Sequence, residues 1–161
     1  MVKASKRVED YVLYDQAGKG VKLSRMFGRH DRLVVLHNMG KSCPNCALWG
    51  DEFNFMRKRI AQVAGLCIVG PDDPATQAAY RRSRGWQCRL LSARGTSFVG
   101  DLGFEDKKGN AQPGVSILEK KNGALRLVKQ VNVMRDKHCP SVLEVFWMLP
   151  GVDTAKVAWA K

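Results

Sequence analysis

Two short apolar segments, with an amphipathic helix between them, constrain the fold more than any other feature of this sequence. Residues 33–37, "LVVLH", form a nearly continuous apolar run, and "GLCIVG", residues 65–70, forms a second. Runs of this length are typical of central strands that are buried on both faces. Two such strands joined by a helix form a parallel pair with a right-handed crossover. The sequence therefore predicts an α/β fold.

The helices are predicted from apolar spacing and from the residues that begin and end helices. The first is expected over residues 46–63, because apolar residues recur there at helical spacing, with Gly65 ending it. The second is expected between Asp73 as N-cap and Gly85 as stop, with Pro74 at its first helical position. A third is expected near the C-terminus, ending at Pro150.

Further strands are expected on either side of the parallel pair. Two short strands flank a Gly-rich turn at residues 17–20, residues 86–92 form a third strand or a linker, and a hairpin turns at residues 121–123. These patterns predict a mixed central sheet with helices on both faces. A chain of 161 residues suits one domain, with an N-terminal β-hairpin extension over residues 1–30 and a core over residues 31–150.

Charge, hydropathy and cysteine usage limit the possible partners. The formal charge is +12 at pH 7, but the basic residues are scattered and no aromatic pattern interleaves them, so specific nucleic-acid binding is not expected. The N-terminal segment has no apolar stretch, and no apolar run approaches the ~20 residues that span a bilayer. The five cysteines are an odd number, which favours a reducing compartment. A cytoplasmic protein without membrane contact is predicted.

The segment "KSCPNC", residues 41–46, carries the clearest chemistry in the chain. It follows a buried strand and precedes a helix, and a helix N-terminus lowers the pKa of a thiol through its dipole and unpaired N–H groups. Pro44 suits the first helical turn, and Lys41 adds positive charge. The pattern predicts thiol–disulfide exchange, with Cys43 as the exposed nucleophile and Cys46 as the buried resolving thiol.

Three alternatives remain open at this point. The two thiols are packed core residues in the first. In the second they hold zinc, which needs further ligands such as His138 and Cys139, or His37, although adjacent residues rarely ligate one ion well. The third is a non-catalytic binding module whose basic face docks an acidic partner.

Three segments resemble a known family: "HNMGKSCPNCALWGDEFN", "YRRSRGWQCRLLSARGTSFVGDLGF" and "QPGVSILEKKNG". They are similar to the bacterial family called domain of unknown function 899, in the peroxiredoxin and TlpA-like branch of the thioredoxin superfamily. The resemblance covers nearly the whole chain and implies a thioredoxin-like fold with Cys43 and Cys46 as redox cysteines. His37 stands six residues before Cys43, where thioredoxins carry a buried acid. The resemblance implies that His37 relays a proton or stabilises a thiolate, unless it is a core histidine bonded to a backbone carbonyl.

The resemblance also implies where a substrate binds. Thioredoxins place a cis-proline opposite the cysteine pair, and Pro113 with its neighbours Gly114 and Val115 is the nearest candidate. Pro44 and Trp49, beside the pair, complete the predicted substrate contacts, although Trp49 also lies on the apolar helix stripe that is typical of a core. The peroxiredoxin motif P-x-x-x-T-x-x-C is absent, so peroxide reduction by that mechanism is not expected.

The sequence thus predicts a thiol–disulfide oxidoreductase that exchanges with protein or small-molecule thiols and disulfides. No cofactor and no metal are implied. Apolar side chains near the C-terminus serve either a homodimer or the core: Phe146, Trp147, Met148 and Trp159.

Overall fold

The computed structural model describes residues 5–153 and Val157. Eight strands in this part of the chain form one sheet, with the order β1-β8-β7-β4-β5-β6-β2-β3. The strands are β1 (Lys6–Val8), β2 (Val12–Tyr14), β3 (Gly20–Lys22), β4 (Arg32–His37), β5 (Gly65–Gly70), β6 (Arg89–Ser92), β7 (Gly114–Lys121) and β8 (Ala124–Asn132). The helices are α1 (Pro44–Ile60), α2 (Pro74–Arg84), α3 (Phe98–Asp101), α4 (Val133–Asp136) and α5 (Val142–Met148), with a 3-10 helix at Leu23–Phe27.

Strand β4 lies inside the sheet, as its apolar run predicts. It pairs in parallel with β5 and antiparallel with β7, and β5 pairs in parallel with β6. The predicted mixed sheet is therefore confirmed, and residues 86–92 contribute a strand rather than a linker. A loop of residues 38–42 leads from the carboxyl end of β4 to Cys43, and α1 starts at the next residue.

Alternate residues of β4 enter different cores, one on each face of the sheet. Val34 and Leu36 pack with α1, α5 and Trp86. Leu33 and Val35 pack with the 3-10 helix, with α3 and with the first strands. Because side chains alternate along a strand, the residue that ends β4 belongs to the second of these faces, away from α1.

Helix α2 begins and ends where its capping residues predict, whereas α1 begins and ends before the predicted residues 46–63. Asp73 caps α2 by accepting the Thr76 N–H at 2.9 Å, and Gly85 ends it in the left-handed region at φ 68°. Helix α1 starts at Pro44 and ends at Ile60, so the predicted stop at Gly65 is wrong. Gly65 instead opens β5, because the chain turns through residues 61–64.

The first thirty residues contribute to both edges of the sheet. The predicted Gly-rich hairpin is β2–β3, which joins the sheet through one contact between β2 and β6. Strand β1, which the sequence does not predict, pairs with β8 at the opposite edge. The β7–β8 hairpin turns at Asn122 and Gly123, whose φ angles of 51° and 75° are those of a two-residue type I′ turn.

Gly50 is a position where α1 and the chain after α2 lie in close contact. A Cβ atom there would overlap the ring of Trp86, well inside van der Waals contact. Gly50→Ala is therefore expected to lower the free energy of unfolding by about 2 kcal/mol, although alanine ordinarily stabilises a helix interior. Urea unfolding measures this, with Leu48→Ala, an exposed position in the same helix, as the control. A Gly50→Ala variant as stable as the parent would contradict the close contact.

Candidate functional site

Cys43 and Cys46 lie at the N-terminus of α1 in the arrangement that the sequence predicts. Cys43 is the N-cap residue, and its Sγ accepts a hydrogen bond from the Cys46 N–H at 3.2 Å. Its side chain is half-buried, whereas Cys46 is only 3% exposed. The Cys43 sulfur is therefore the more accessible of the two. It lies next to the N–H groups of the first helical turn, which have no partner within the helix.

Burial separates the two thiols chemically. Burial, together with a hydrogen bond to Cys43, raises the pKa of Cys46 to about 12, and the Met39 backbone N–H partly offsets this. Cys46 is thus a protonated thiol at neutral pH. It can act as a nucleophile only when a neighbouring group takes its proton or stabilises its thiolate.

Two polar contacts hold the loop between β4 and the cysteines. The Asn38 side chain accepts the Gly40 N–H at 2.7 Å, and the Asp72 carboxylate accepts the Lys41 N–H at 2.8 Å. Gly40 has a φ of 101°, and a Cβ atom there would lie 2.9 Å from the Asp72 carboxylate, so the position requires glycine. The Lys41 side chain is exposed beside the pair.

His37 lies on the face of the sheet opposite α1. Its ring stacks on Phe104, with centroids 3.6 Å apart, and its Nε2 is 2.9 Å from the Ser116 hydroxyl. Burial lowers the pKa of His37 to about 3, so the imidazole is neutral at physiological pH. Its Nδ1 has no hydrogen-bond partner among the described residues. The hydrogen-bond partner of this histidine is therefore a hydroxyl, and not the backbone carbonyl considered above.

Pro113, Gly114 and Val115 reach the same end of the sheet as the cysteines. Gly114 pairs with His37, and the Pro113 carbonyl accepts the Val133 N–H at 2.9 Å. All three residues are buried. None of the described peptide bonds is cis, so the bond before Pro113 is trans. Contact between these residues and a substrate stays a prediction.

Pro44 and Trp49, the other predicted substrate contacts, lie in different environments. Pro44 is exposed beside Cys43. Trp49 is 8% exposed, donates its indole N–H to the Pro140 carbonyl at 3.1 Å, and packs edge-on against Phe53. Trp49 therefore packs α1 against the segment before α5, as its place on the apolar stripe indicates. Of the two residues, Pro44 is the one that is accessible to a partner.

A group of residues on and after α2 closes the other side of the site. The Trp86 ring covers Gly50, and its indole N–H donates to Asp51 at 2.7 Å. Tyr80 stacks edge-on against Trp86, with centroids 5.0 Å apart. Tyr80 and Lys41 line a groove of about 530 Å³. The position of these residues depends on how α2 packs on α1, which no local pattern encodes.

The remaining cysteines and histidines do not assemble a metal site. Cys67 and Cys88 are buried, and burial raises their pKa values to about 12 and about 11. Cys139 is exposed, and the His138 ring contacts Glu144 at 2.8 Å. Within residues 5–153 and at Val157, no three His, Cys, Asp or Glu side chains come together as metal ligands. In the same residues, no helix has the length and apolar character to cross a bilayer.

The predicted apolar face near the C-terminus divides between core and surface. Phe146 is buried, Met148 is half-buried, and Trp147 is 62% exposed, one turn after the exposed Leu143. Trp159 lies outside the described residues. A homodimer through this face stays a prediction.

Comparison with known proteins places this site in a thioredoxin-like α/β protein. Over residues 2–146, the sequence matches the family described as bacterial protein of unknown function, DUF899. The chain belongs to this family, as its three resembling segments predict. A search of the curated proteins finds no significant match.

Solved structures with the same fold are peroxiredoxin-like proteins of low sequence identity. Peroxidoxin BcpB from Mycobacterium tuberculosis is 21% identical, with a TM-score of 0.68 over 85% of this chain and 94% of that protein. The mitochondrial 2-Cys peroxiredoxin from Plasmodium falciparum is 18% identical, with a TM-score of 0.66 over 87% and 88%. A peroxiredoxin-like protein from Aquifex aeolicus is 20% identical, with a TM-score of 0.65 over 89% and 84%. The predicted thioredoxin-like fold is therefore confirmed.

Proposed function

We propose that this protein is a thiol–disulfide oxidoreductase that uses Cys43 and Cys46. One observation carries the proposal: the half-exposed Cys43 caps α1 and accepts the N–H of the buried Cys46 at 3.2 Å. This geometry presents one sulfur to a partner and keeps the second within reach of the first. The peroxiredoxin-like neighbours share the fold and add weight to thiol chemistry.

The proposed exchange moves two electrons from the pair to a partner disulfide. The Cys43 thiolate attacks one partner sulfur, the partner S–S bond breaks, and the departing thiolate takes up a proton. Cys46 then attacks the Cys43 sulfur, and the departing partner sulfur takes up the proton that Cys46 loses. The mixed disulfide breaks, the partner leaves as its second thiol, and the pair remains as a disulfide. A cellular dithiol reverses these steps and restores the reduced pair.

Lys41 and His37 have different roles in this proposal, although the sequence interpretation gives both of them a part in stabilising the thiolate. Lys41 is the exposed cation beside Cys43 and supports its thiolate and the approach of anionic partner segments. His37, neutral and turned to the opposite face, acts as a packing residue at the end of β4. The odd number of cysteines favours a reducing compartment, so the proposed activity is cytoplasmic.

A redox titration in glutathione buffers tests the proposal. Peptide mapping by mass should show a reversible two-electron transition on Cys43–Cys46, within the range of known dithiol exchangers, about −270 to −120 mV. Cys67 and Cys88 should remain thiols through the transition, because both are buried. A pair that never closes into a disulfide would overturn the proposal.

Two measurements on the same sample separate the alternatives. Metal analysis of protein purified without chelator would reveal about one equivalent of thiolate-bound zinc if the pair is structural. If the pair is unreactive and metal-free, binding of an acidic partner to the basic surface becomes the better explanation.

A further inference from the structure

Asp72 lies in the loop between β5 and α2 and contacts the segment that leads to the cysteine pair. Its carboxylate accepts the Lys41 N–H at 2.8 Å. A Cβ atom on Gly40 would lie only 2.9 Å from the same carboxylate, so the side chain also packs directly against the Gly40 backbone. One side chain therefore touches the two residues that stand two and three positions before Cys43.

A hydrogen-bonded turn connects these two residues to Cys43. The Cys43 N–H donates to the Gly40 carbonyl at 3.2 Å, so residues 40–43 form a β-turn whose last residue is Cys43. Cys43 is at the same time the N-cap of α1, where its Sγ accepts the Cys46 N–H at 3.2 Å. The position of the sulfur at the helix N-terminus therefore depends on the turn, and the turn is fixed to Asp72.

Contacts with the next strand and helix fix Asp72 in turn. Ser92, the fully buried last residue of β6, donates its hydroxyl to the Asp72 carbonyl at 2.6 Å. The following residue, Asp73, is the N-cap of α2. The backbone of Asp72 is thus held between β6 and α2, and its half-buried side chain is a fixed support for the loop rather than a mobile surface group.

The contacts of Asp72 favour a role in position over a role in charge. Among the described residues, Asp72 takes part in no ion pair, and its hydrogen bond goes to a backbone N–H. A negative charge close to a cysteine thiolate repels it. The contact therefore serves a nucleophile at Cys43 because it holds the turn, and an uncharged acceptor of the same shape should serve equally well.

We propose that Asp72 is a positioning residue for Cys43, which holds the turn of residues 40–43 and thereby keeps the Cys43 sulfur at the N-terminus of α1. The role rests on the proposed function for its purpose, since a sulfur in this place is stabilised as a thiolate and stays within reach of Cys46. Displacement of a reacting group by about 1 Å can cost about a hundredfold in rate. The support of the turn therefore bears directly on exchange.

Asp72→Ala and Asp72→Asn test this role as a pair, because alanine removes the acceptor and asparagine keeps an oxygen for the Lys41 N–H. The readout is the rate of Cys43 alkylation by iodoacetamide at neutral pH, followed by peptide mass. Asp72→Ala is expected to slow alkylation about tenfold, because the sulfur then spends less time at the helix N-terminus. Asp72→Asn should be no slower than the parent. Asp73→Ala, which removes the cap of α2 and leaves the loop contacts intact, should also keep the parent's rate.

A second readout follows the proximity of the two sulfurs. In glutathione buffers, the ratio of Cys43–Cys46 disulfide to Cys43–glutathione mixed disulfide reports how effectively Cys46 reaches Cys43. This ratio is expected to fall about tenfold in Asp72→Ala and to stay within about twofold of the parent in Asp72→Asn and Asp73→Ala. An unchanged ratio in Asp72→Ala would count against the role.

Alkylation requires no disulfide, so it separates this role from the exchange activity. A parent-like alkylation rate in Asp72→Ala would overturn the role, even if the glutathione titration succeeds, and so would an Asp72→Asn rate as slow as that of Asp72→Ala. Slow alkylation in Asp72→Ala alone, in a protein whose pair never closes, would support the role and rule out the exchange activity. If Asp72→Ala unfolds, Asp72→Ser decides, because its hydroxyl is one bond too short for the Lys41 N–H, and a parent-like rate there overturns the role.

Discussion

Replacing Cys43 by serine is expected to abolish reduction of a partner disulfide, with a loss of at least about a thousandfold. Cys43 is the half-exposed sulfur of the pair, and serine offers no comparable nucleophile at neutral pH. Initial rates of reduction of a fluorescent glutathione disulfide, with dithiothreitol as the electron source, measure this loss.

Cys46→Ser should behave differently, because Cys43 can still attack. The variant should accumulate a mixed disulfide with the partner, visible as an added mass on the Cys43 peptide. Cys139→Ser is the matched control, since it removes an exposed thiol outside the pair and should keep most of the activity. Full activity in Cys43→Ser would rule out Cys43 as the nucleophile.

Acid is expected to destabilise the protein through His37 by about 3 kcal/mol between pH 7 and pH 4. Burial lowers the pKa of His37 to about 3 in the folded protein, whereas an unfolded histidine titrates near 6.5. Below about pH 6.5 the unfolded chain therefore binds a proton that the folded protein does not. Stability falls by about 1.4 kcal/mol per pH unit until the pH approaches the folded pKa.

Urea unfolding at pH 7, 5.5 and 4 measures this dependence. His37→Gln removes the titrating ring and should flatten the pH dependence by the predicted amount, whatever its effect on stability at pH 7. His138→Gln, at a ring about half exposed, should keep the parent's slope. An unchanged slope in His37→Gln would show that the buried imidazole does not set the acid sensitivity.

The parts of this structure that follow from local pattern could be predicted from the sequence. The apolar run of residues 33–37 predicts the central strand, and Asp73 and Gly85 delimit α2 through contacts with their own neighbours. The cysteine motif belongs with these, because an N-cap and a first-turn proline are local features. The difference in exposure could be predicted as well, because Cys43 caps the helix and Cys46 lies one turn inside it.

The environment of the pair could not be predicted in the same way, because it depends on contacts between distant segments. His37 stands six positions before Cys43 in the sequence. Because side chains alternate along β4, however, the His37 ring lies on the face of the sheet opposite α1. Tyr80 reaches the site only because α2 packs over Gly50 through Trp86. Family analogy supplies the position of His37 in the sequence, but not the direction of its side chain.

The pairing of β1 with β8 has a consequence for the order in which the chain can fold. Lys6 aligns with Leu127, so β1 must wait until β8 has been synthesised before it finds its partner. Until then β8 presents an unpaired edge, and the N-terminal segment has no place in the sheet. Contacts between residues so far apart in sequence form slowly. During synthesis on the ribosome, the parallel unit of β4 to β6 can assemble first, and the sheet closes only after residue 127 has emerged.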